Sequence, residues 1–72
     1  MMKIYNITDD IYFKMIDSCD KSFAWDCIEL SDGCAVVFSC KNNKPYNVVV
    51  YDEDDNRLAH DFDIAKFEAL AA

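Results

Sequence analysis

An Asp32-Gly33 pair between two apolar-rich runs is the feature that most constrains how this 72-residue chain can fold. Residues 25–31 precede the pair and residues 34–40 follow it. A type I′ turn requires positive φ at both central residues, and Asp-Gly adopts that conformation at little cost. The pair therefore predicts a β-hairpin with a two-residue loop, in which Glu29 lies opposite Val36.

A second break in the pattern, residues 41–45, is polar and ends in a proline, which has no amide to donate to a strand ladder. Residues 46–51 follow it and are rich in β-branched and aromatic side chains, which favour strands. Folding this run back on the second strand places Val36 opposite Val50. The two breaks together predict a three-stranded antiparallel meander.

The predicted pairing separates two faces of the meander. The face assigned to the core carries Trp25, Cys27, Val36, Phe38, Cys40, Tyr46, Val48 and Val50, with Glu29 as a misfit. The second face carries Asp26, Ile28, Leu30, Ala35, Val37, Ser39, Asn47, Val49 and Tyr51. Because the second face is only half polar, it requires a cover.

Two arrangements would cover the second face. If both helices pack on the core face, an exposed apolar patch remains, and a two-fold homodimer is its commonest closed solution. If one helix lies on each side of the sheet, a monomer covers both faces. The candidate residues for self-association are Ile28, Leu30, Val37, Val49 and Tyr51.

The segments on either side of the meander predict one helix each. Thr8 is a suitable N-cap for a helix that ends near Cys19, and the aspartates after it are favoured by the helix dipole. Residues 1–7 alternate as in a short edge strand. Asp63 can cap a C-terminal helix whose apolar stripe is formed by Ile64, Phe67 and Leu70 or Ala71.

A last strand follows the acidic segment 52–56. A three-residue loop there needs one left-handed residue, which Asp55 or Asn56 can supply. That loop length is preferred because of the side chains that it places on the core face, which are Leu58, His60 and Phe62.

The predicted fold is therefore α+β: a small two-layer single domain, residues 1–72, with element order β-α-β-β-β-β-α. An antiparallel meander of about four strands, with a short N-terminal strand, packs with two short helices. A chain of this length buries only about 60% of the surface that it exposes when unfolded. Its hydrophobic fraction of 53% makes dense packing attainable.

Cysteine chemistry and location are linked. The chain has four cysteines and lacks both a secretion-signal pattern and the roughly 18 apolar residues of a membrane span. A cytoplasmic location is expected, and with it buried free thiols. Zinc binding is disfavoured because the cysteines are separated by 7, 6 and 5 residues, without a close ligand pair. Disulfide or redox chemistry is the remaining alternative.

No catalytic, cofactor or metal site is predicted, and the chain is not expected to be an enzyme. Asp52, Asp54 and Asn56 are spaced like the first ligands of a calcium loop, but Arg57 occupies the position that needs glycine. His60 is the single histidine and has no nucleophile beside it in the sequence. The acidic segment is therefore interpreted as a solvated turn.

Charge is the most informative global property. Fourteen acidic residues against seven basic ones leave a net charge of −7, which disfavours direct binding to nucleic acid or anionic membranes. The expected partner is a basic protein, which an anionic surface attracts as nucleic-acid phosphates do. The candidate partner-binding residues are Asp9, Asp10, Asp17, Asp20, Asp52, Glu53, Asp54, Asp55, Asp61 and Asp63.

The function predicted first is that of a small acidic protein-binding inhibitor or modulator, which occludes a basic, nucleic-acid-handling partner. In size and charge alone, the chain is similar to anti-defence proteins of phage and mobile elements, such as anti-CRISPR inhibitors. The alternative is a homo-oligomeric structural or regulatory module without inhibitory activity. A metal- or thiol-based activity is the second alternative, and a surface that serves only solubility is the simplest explanation of the charge.

Overall fold

The computed structural model describes residues 3–72 and has the predicted α+β fold with the order β-α-β-β-β-β-α. The elements are β1 (Ile4–Tyr5), α1 (Asp9–Asp20), β2 (Trp25–Glu29), β3 (Ala35–Lys41), β4 (Lys44–Tyr51), β5 (Arg57–His60) and α2 (Ile64–Ala71).

The five strands form one sheet in the order β1-β5-β4-β3-β2. The meander β2–β5 is antiparallel, whereas β1 pairs with β5 in parallel, Ile4 opposite Ala59. The sheet is therefore mixed, and β1 has the edge position that was predicted. Of the predicted strand over residues 1–7, the first two residues lie outside the described part of the chain.

The β2–β3 hairpin has a three-residue loop, so the predicted two-residue loop is wrong. The amide of Leu30 donates to the carbonyl oxygen of Cys34 at 2.9 Å, and the amide of Gly33 donates to the carbonyl oxygen of Leu30 at 3.1 Å. Within the loop 31–33, which is described in full, Gly33 alone has a positive φ, 87°. A single left-handed residue after the turn is typical of three-residue hairpins.

The longer loop shifts β2 by one residue and exchanges its faces. Ile28 now lies opposite Val36 and is only 7% exposed, whereas Trp25 is 64% exposed. The shift also moves Glu29, the misfit of the predicted core face, to the opposite side. Burial of Ile28 and release of a carboxylate favour the observed pairing over the one that the turn residues suggested.

The β3–β4 turn is the one that has the type I′ signature. Asn42 and Asn43 both have positive φ, 54° and 63°, and they connect the paired residues Lys41 and Lys44. Pro45 belongs to β4 and is buried, rather than lying in the break between the strands. Asparagine tolerates the left-handed region, so two of them replace the usual Asn-Gly here.

An irregularity in β4 changes the face of its first residues. Val36 lies opposite Val50 as predicted, but the pairing shifts beyond Val37, where Asn47 adopts a φ of 53°. This bulge places Tyr46 opposite Ser39, on the face away from the core. The regular continuation of the predicted register, which would pair Phe38 with Val48, is therefore absent from these two described strands.

The β4–β5 loop has the predicted three residues. The amide of Asp52 donates to the carbonyl oxygen of Asn56 at 2.9 Å, and Asp55 is the left-handed residue, with a φ of 63°. Leu58 and Phe62 pack against the core as expected. His60 is half-buried on the same side, and its Nε2 lies 2.8 Å from the carbonyl oxygen of Val48.

Both helices lie on one face of the sheet. The buried sheet residues alternate with exposed ones and share one side, where they meet α1 and Phe67 of α2. The core consists of Ile7, Ile11, Tyr12, Met15, Cys19, Ile28, Val36, Phe38, Val50 and Phe67. The opposite side, here named the outer face, carries Ile4, Trp25, Cys27, Glu29, Ala35, Val37, Ser39, Tyr46, Val49, Tyr51, Arg57 and Ala59.

A disulfide joins Cys19 of α1 to Cys40 of β3, with their Cα atoms 5.4 Å apart. That separation is normal for a disulfide. The prediction of four buried thiols is therefore wrong, and it also fails at Cys27, which is a free thiol on the exposed side. The one-residue register shift explains the error at Cys27, because it moves this residue to the outer face. Cys40 lies on the core face as predicted, and the disulfide depends on its position under the end of α1.

Candidate functional site

Eight of the fourteen acidic residues form a continuous surface that follows α1 and β2 to the turns at one end of the sheet. We name this surface the acidic band. It consists of Asp10, Asp17, Asp26, Asp32, Asp52, Glu53, Asp54 and Asp55. Asp10, Asp17, Asp26, Asp32 and Asp52 line three adjoining grooves that share lining residues, and the other three band residues follow Asp52 in the β4–β5 turn.

The first part of the band is a groove of about 550 Å³ between α1 and β2. Asp10, Asp17 and Asp26 line it, together with the outer-face residue Glu29 at the β2 edge, and Lys14 is the cation among its lining residues. Phe13 also lines the groove and is 51% exposed. An exposed aromatic ring among carboxylates can supply apolar contact area to a partner whose cations the carboxylates attract.

Asp26 holds the two walls of this groove together. Its carboxylate accepts a hydrogen bond from the hydroxyl of Ser18, which is buried in α1. The other carboxylate oxygen accepts from the backbone amide of Cys27 at 2.7 Å. Since β2 is an edge strand, this second bond also blocks an amide that could otherwise pair with another strand.

The second part of the band begins at Asp32 in the β2–β3 turn. Its carboxylate accepts from the backbone amide of Cys34 at 3.0 Å and from the phenol of Tyr5 at 2.9 Å. The hydrogen bond from the Cys34 amide, and after it the hydrogen bond from the Tyr5 phenol, lowers the pKa of Asp32. Burial and the Asp32 carboxylate raise the pKa of Tyr5 to about 12, so this phenol stays a donor at neutral pH.

The β4–β5 turn extends the band beside the first turn. An added Cβ at Gly33 would lie 3.1 Å from Oε2 of Glu53, which shows how closely the two turns approach. Asp52 holds its own turn, because its Oδ1 accepts from the amides of Asp54 at 2.9 Å and Asn56 at 2.8 Å. The Asn56 amide is the main cause of the lowered pKa of Asp52.

Four of the predicted partner-binding residues lie outside the acidic band. Asp9 makes a salt bridge with Lys66 at 2.9 Å, and Asp20 is exposed at the end of α1. Asp61 and Asp63 support the fold. Asp61 accepts from the amide of Ile7 at 2.7 Å, which lowers its pKa, and Asp63 caps α2 as predicted.

Sequence reasoning missed three residues of this region, Asp26, Asp32 and Phe13. Asp26 and Asp32 were interpreted only as strand and turn residues, and Phe13 was not among the candidate residues. The signal that could have found Phe13 is its helical position, since it lies between the polar Asp10 and Asp17, three or four residues away.

The residues predicted for self-association are divided between the two faces of the sheet. Ile28 is buried in the core and Leu30 packs against it, so neither is available to another molecule. Val37, Val49 and Tyr51 lie on the outer face and are half-buried. Self-association itself remains a prediction.

The groups considered for metal, thiol or base chemistry have other partners. In residues 3–72, no three His, Cys, Asp or Glu side chains are placed to hold a metal ion. Burial, with the nearby Asp32 carboxylate, raises the pKa of the free thiol of Cys34, which disfavours the reactive thiolate. The ring nitrogens of His60 contact the carbonyl oxygen of Val48 and the amide of Phe62.

No protein-family model matches this sequence, and no curated protein or solved structure is detectably similar to it. In the part of the chain that the structure describes, none of the helices has the length and apolar character needed to cross a membrane.

Proposed function

We propose that the protein is a small acidic protein-binding inhibitor or modulator, and that its acidic band occludes a basic, nucleic-acid-handling partner. The observation that supports this proposal is the concentration of charge: eight carboxylates form one band, with Lys3 and Lys14 as the cations that line its grooves. A surface that served only solubility would not need its charges on one side of the molecule.

The band also has the rigidity that occlusion requires. Asp26, Asp32 and Asp52 are each held by hydrogen bonds to backbone amides, so their carboxylates do not have to be ordered when a partner binds. Exposed carboxylates beside them can attract a basic groove from a distance. Phe13 supplies an apolar contact at one end of the band. Binding there would compete with nucleic acid for the cations of the partner.

The experiment begins with capture of partners from a bacterial lysate by the immobilised protein, followed by elution with increasing salt. A retained protein is identified by mass spectrometry, purified and tested for loss of nucleic-acid binding in the presence of this chain. We expect release at rising ionic strength, because each contact between the band and a cation is screened by salt.

A band variant then tests the site. It carries Glu53→Gln, Asp54→Asn and Asp55→Asn, and it leaves Asp52 intact because that residue holds the turn. The matched control removes the same number of charges outside the band, through Asp9→Asn, Asp20→Asn and Glu68→Gln. We expect slower association and weaker inhibition for the band variant alone. Equal inhibition by the two variants would contradict the proposal.

A cytoplasmic location belongs to the same proposal, since nucleic-acid-handling partners are found there. In that reducing compartment Cys19 and Cys40 would be adjacent thiols rather than a disulfide. The alternative of a homo-oligomeric module is favoured by a separate observation, the uncovered outer face of the sheet.

A further inference from the structure

The outer face is an apolar surface that neither helix covers. Three of the six large hydrophobic side chains that are exposed in the described chain lie on it: Ile4 at 62%, Trp25 at 64% and Tyr46 at 46%. Val37 and Val49 are paired beside them at the centre of the sheet. Contiguous apolar patches of this kind usually mark an interface.

The outer face carries opposite charges on β2 and on β5. One row across the sheet runs from Glu29 on β2 through Ala35 and Tyr51 to Arg57 on β5. Both terminal residues are exposed, and the salt bridges among residues 3–72 involve neither of them. The row therefore begins with an unpaired anion and ends with an unpaired cation.

This row is complementary to itself. Consider a two-fold axis parallel to the strands and placed above the sheet, between β3 and β4. It brings a second copy of the row face to face with the first, with the order of its residues reversed. Glu29 then faces Arg57 of the second copy, and the contact occurs twice. Ala35 faces Tyr51 of the second copy, so a small side chain meets a large one, as interdigitating layers require.

Two further rows of the outer face are complementary to themselves under the same rotation. Ser39 and Tyr46 are paired on β3 and β4, so the same axis places the small Ser39 against Tyr46 of the second copy. Val37 faces Val49 of the second copy in the row between them. Thus one two-fold axis pairs opposite charges, places small side chains against large ones, and brings the apolar centres of the two faces together.

The available area is sufficient for a weak dimer. Four strands about 4.8 Å apart, with an average length of about six residues of about 3.4 Å each, give a flat face of about 19 by 20 Å. Two such faces amount to about 780 Å² before the area of the protruding side chains is added, against about 1,200 Å² at the lower end of specific interfaces. A dimer that dissociates on dilution is therefore expected, rather than an obligate one.

We propose that the outer face is a two-fold homodimer interface, in which Glu29 of each copy lies against Arg57 of the other. Sheets packed face to face in this way form a sandwich with the helices on the outside. The proposal does not depend on the function of the acidic band, because α1 packs on the other side of the sheet and the two surfaces share only the edge strand β2, where Glu29 also lines the groove beside α1.

The first test is sedimentation of the full chain from micromolar to millimolar concentration. We expect a species of twice the 8.3 kDa monomer mass to appear as concentration rises. In parallel, dilution should shift the amide resonances of β3 and β4 outer-face residues while those of α1 stay constant. A monomer at every concentration, or shifts confined to α1, would overturn the proposal.

The second test reverses the charges. Glu29→Arg and Arg57→Glu should each raise the dimer dissociation constant about tenfold or more, because two attractive contacts become repulsive. Combining both changes in one chain restores opposite charges across the two-fold axis and should recover the dimer. Asp20→Arg is the matched control for Glu29→Arg, since it changes the net charge equally on α1 and should have no such effect. A double variant no better than either single variant contradicts the proposed pairing.

Discussion

The carboxylates of this protein have two kinds of surroundings, and exposure alone does not distinguish them, because Asp61 and Asp54 are both exposed. Asp61 accepts from the amide of Ile7 and from Asn6 Nδ2 at 2.8 Å, and it thereby ties the N-terminal segment to the end of β5. Asp54 accepts no side-chain hydrogen bond among the described residues. The first kind supports the fold, and the second kind is available to a partner.

Acid should therefore destabilise the fold through a few identified carboxylates. The pKa of Asp61 is lowered chiefly by the Ile7 amide, so its contribution to stability is complete above the unfolded pKa of about 3.9. It is lost as the pH falls from there through the folded pKa. We expect Asp61→Asn to lower the melting temperature at neutral pH and to flatten its fall in acid, whereas Asp54→Asn should keep the parent profile. Parallel profiles for Asp61→Asn and the parent would contradict this role.

The two sides of the sheet should respond differently to truncation. Phe38 is fully buried, so Phe38→Ala should cost about 3–5 kcal/mol as a large-to-small change in a core. Val49 is half-buried on the outer face, so Val49→Thr should cost clearly less. Denaturant titration of both variants at low concentration, where the proposed dimer is dissociated, measures the difference. Equal losses would mean that Phe38 does not lie in the core.

At the scale of elements, the connections decide which residues meet. The longer β2–β3 loop brings Ala24 opposite Cys40, and the amide of Cys40 donates to the carbonyl oxygen of Ala24 at 2.8 Å. Cys40 is on the core face of β3 and lies beneath the last turn of α1, where Cys19 is located. The disulfide thus joins the end of α1 to the end of β3.

This disulfide should contribute measurably to stability. It closes a segment of sequence separation 21, for which loop entropy gives about 3 kcal/mol. Under oxidising conditions the intact mass should be two hydrogens below that of the reduced chain. Cys19→Ser with Cys40→Ser should lower the free energy of unfolding by about that amount, and Cys27→Ser with Cys34→Ser should not. Four reactive thiols in the denatured, unreduced protein would contradict the disulfide.

At the scale of the whole molecule, charge and apolar surface are separated. The acidic band follows α1 and the turns, and the outer face lies on the uncovered side of the sheet. The two surfaces meet at the edge strand β2, where Glu29 lies. Concentrating like charge in one band costs stability through self-repulsion, which the three exposed salt bridges do not offset, although one of them joins Asp17 of the band to Lys21.

Salt should therefore stabilise the monomer. Raising the ionic strength from about 0.01 M to 0.15 M shortens the screening length from about 30 Å to about 8 Å, which reduces repulsion along the band. We expect the melting temperature to rise over this range and to rise less in the variant with Glu53→Gln, Asp54→Asn and Asp55→Asn. A melting temperature that falls with salt would show that the exposed ion pairs outweigh the repulsion.

The sequence alone was sufficient for the number, type and order of the elements, because helix caps, turn residues and apolar periodicity are local signals. The three-residue loop closed by Asp52 and the helix cap at Asp63 were predictable for the same reason. The anionic character of the surface was equally visible in composition. The division of its carboxylates into structural and free ones depends on distant amides, such as that of Ile7 for Asp61.

The pairing of β2 was decided only by tertiary structure. Asp32-Gly33 is compatible with loops of two or three residues, and the choice depends on whether Ile28 or Cys27 faces α1. Burial of Ile28 beneath the helix selects the longer loop, and the β2 residues of the outer face and of the acidic groove follow from that selection. Local chemistry specifies where a chain turns, whereas the surface buried on folding determines which residues the turn brings together.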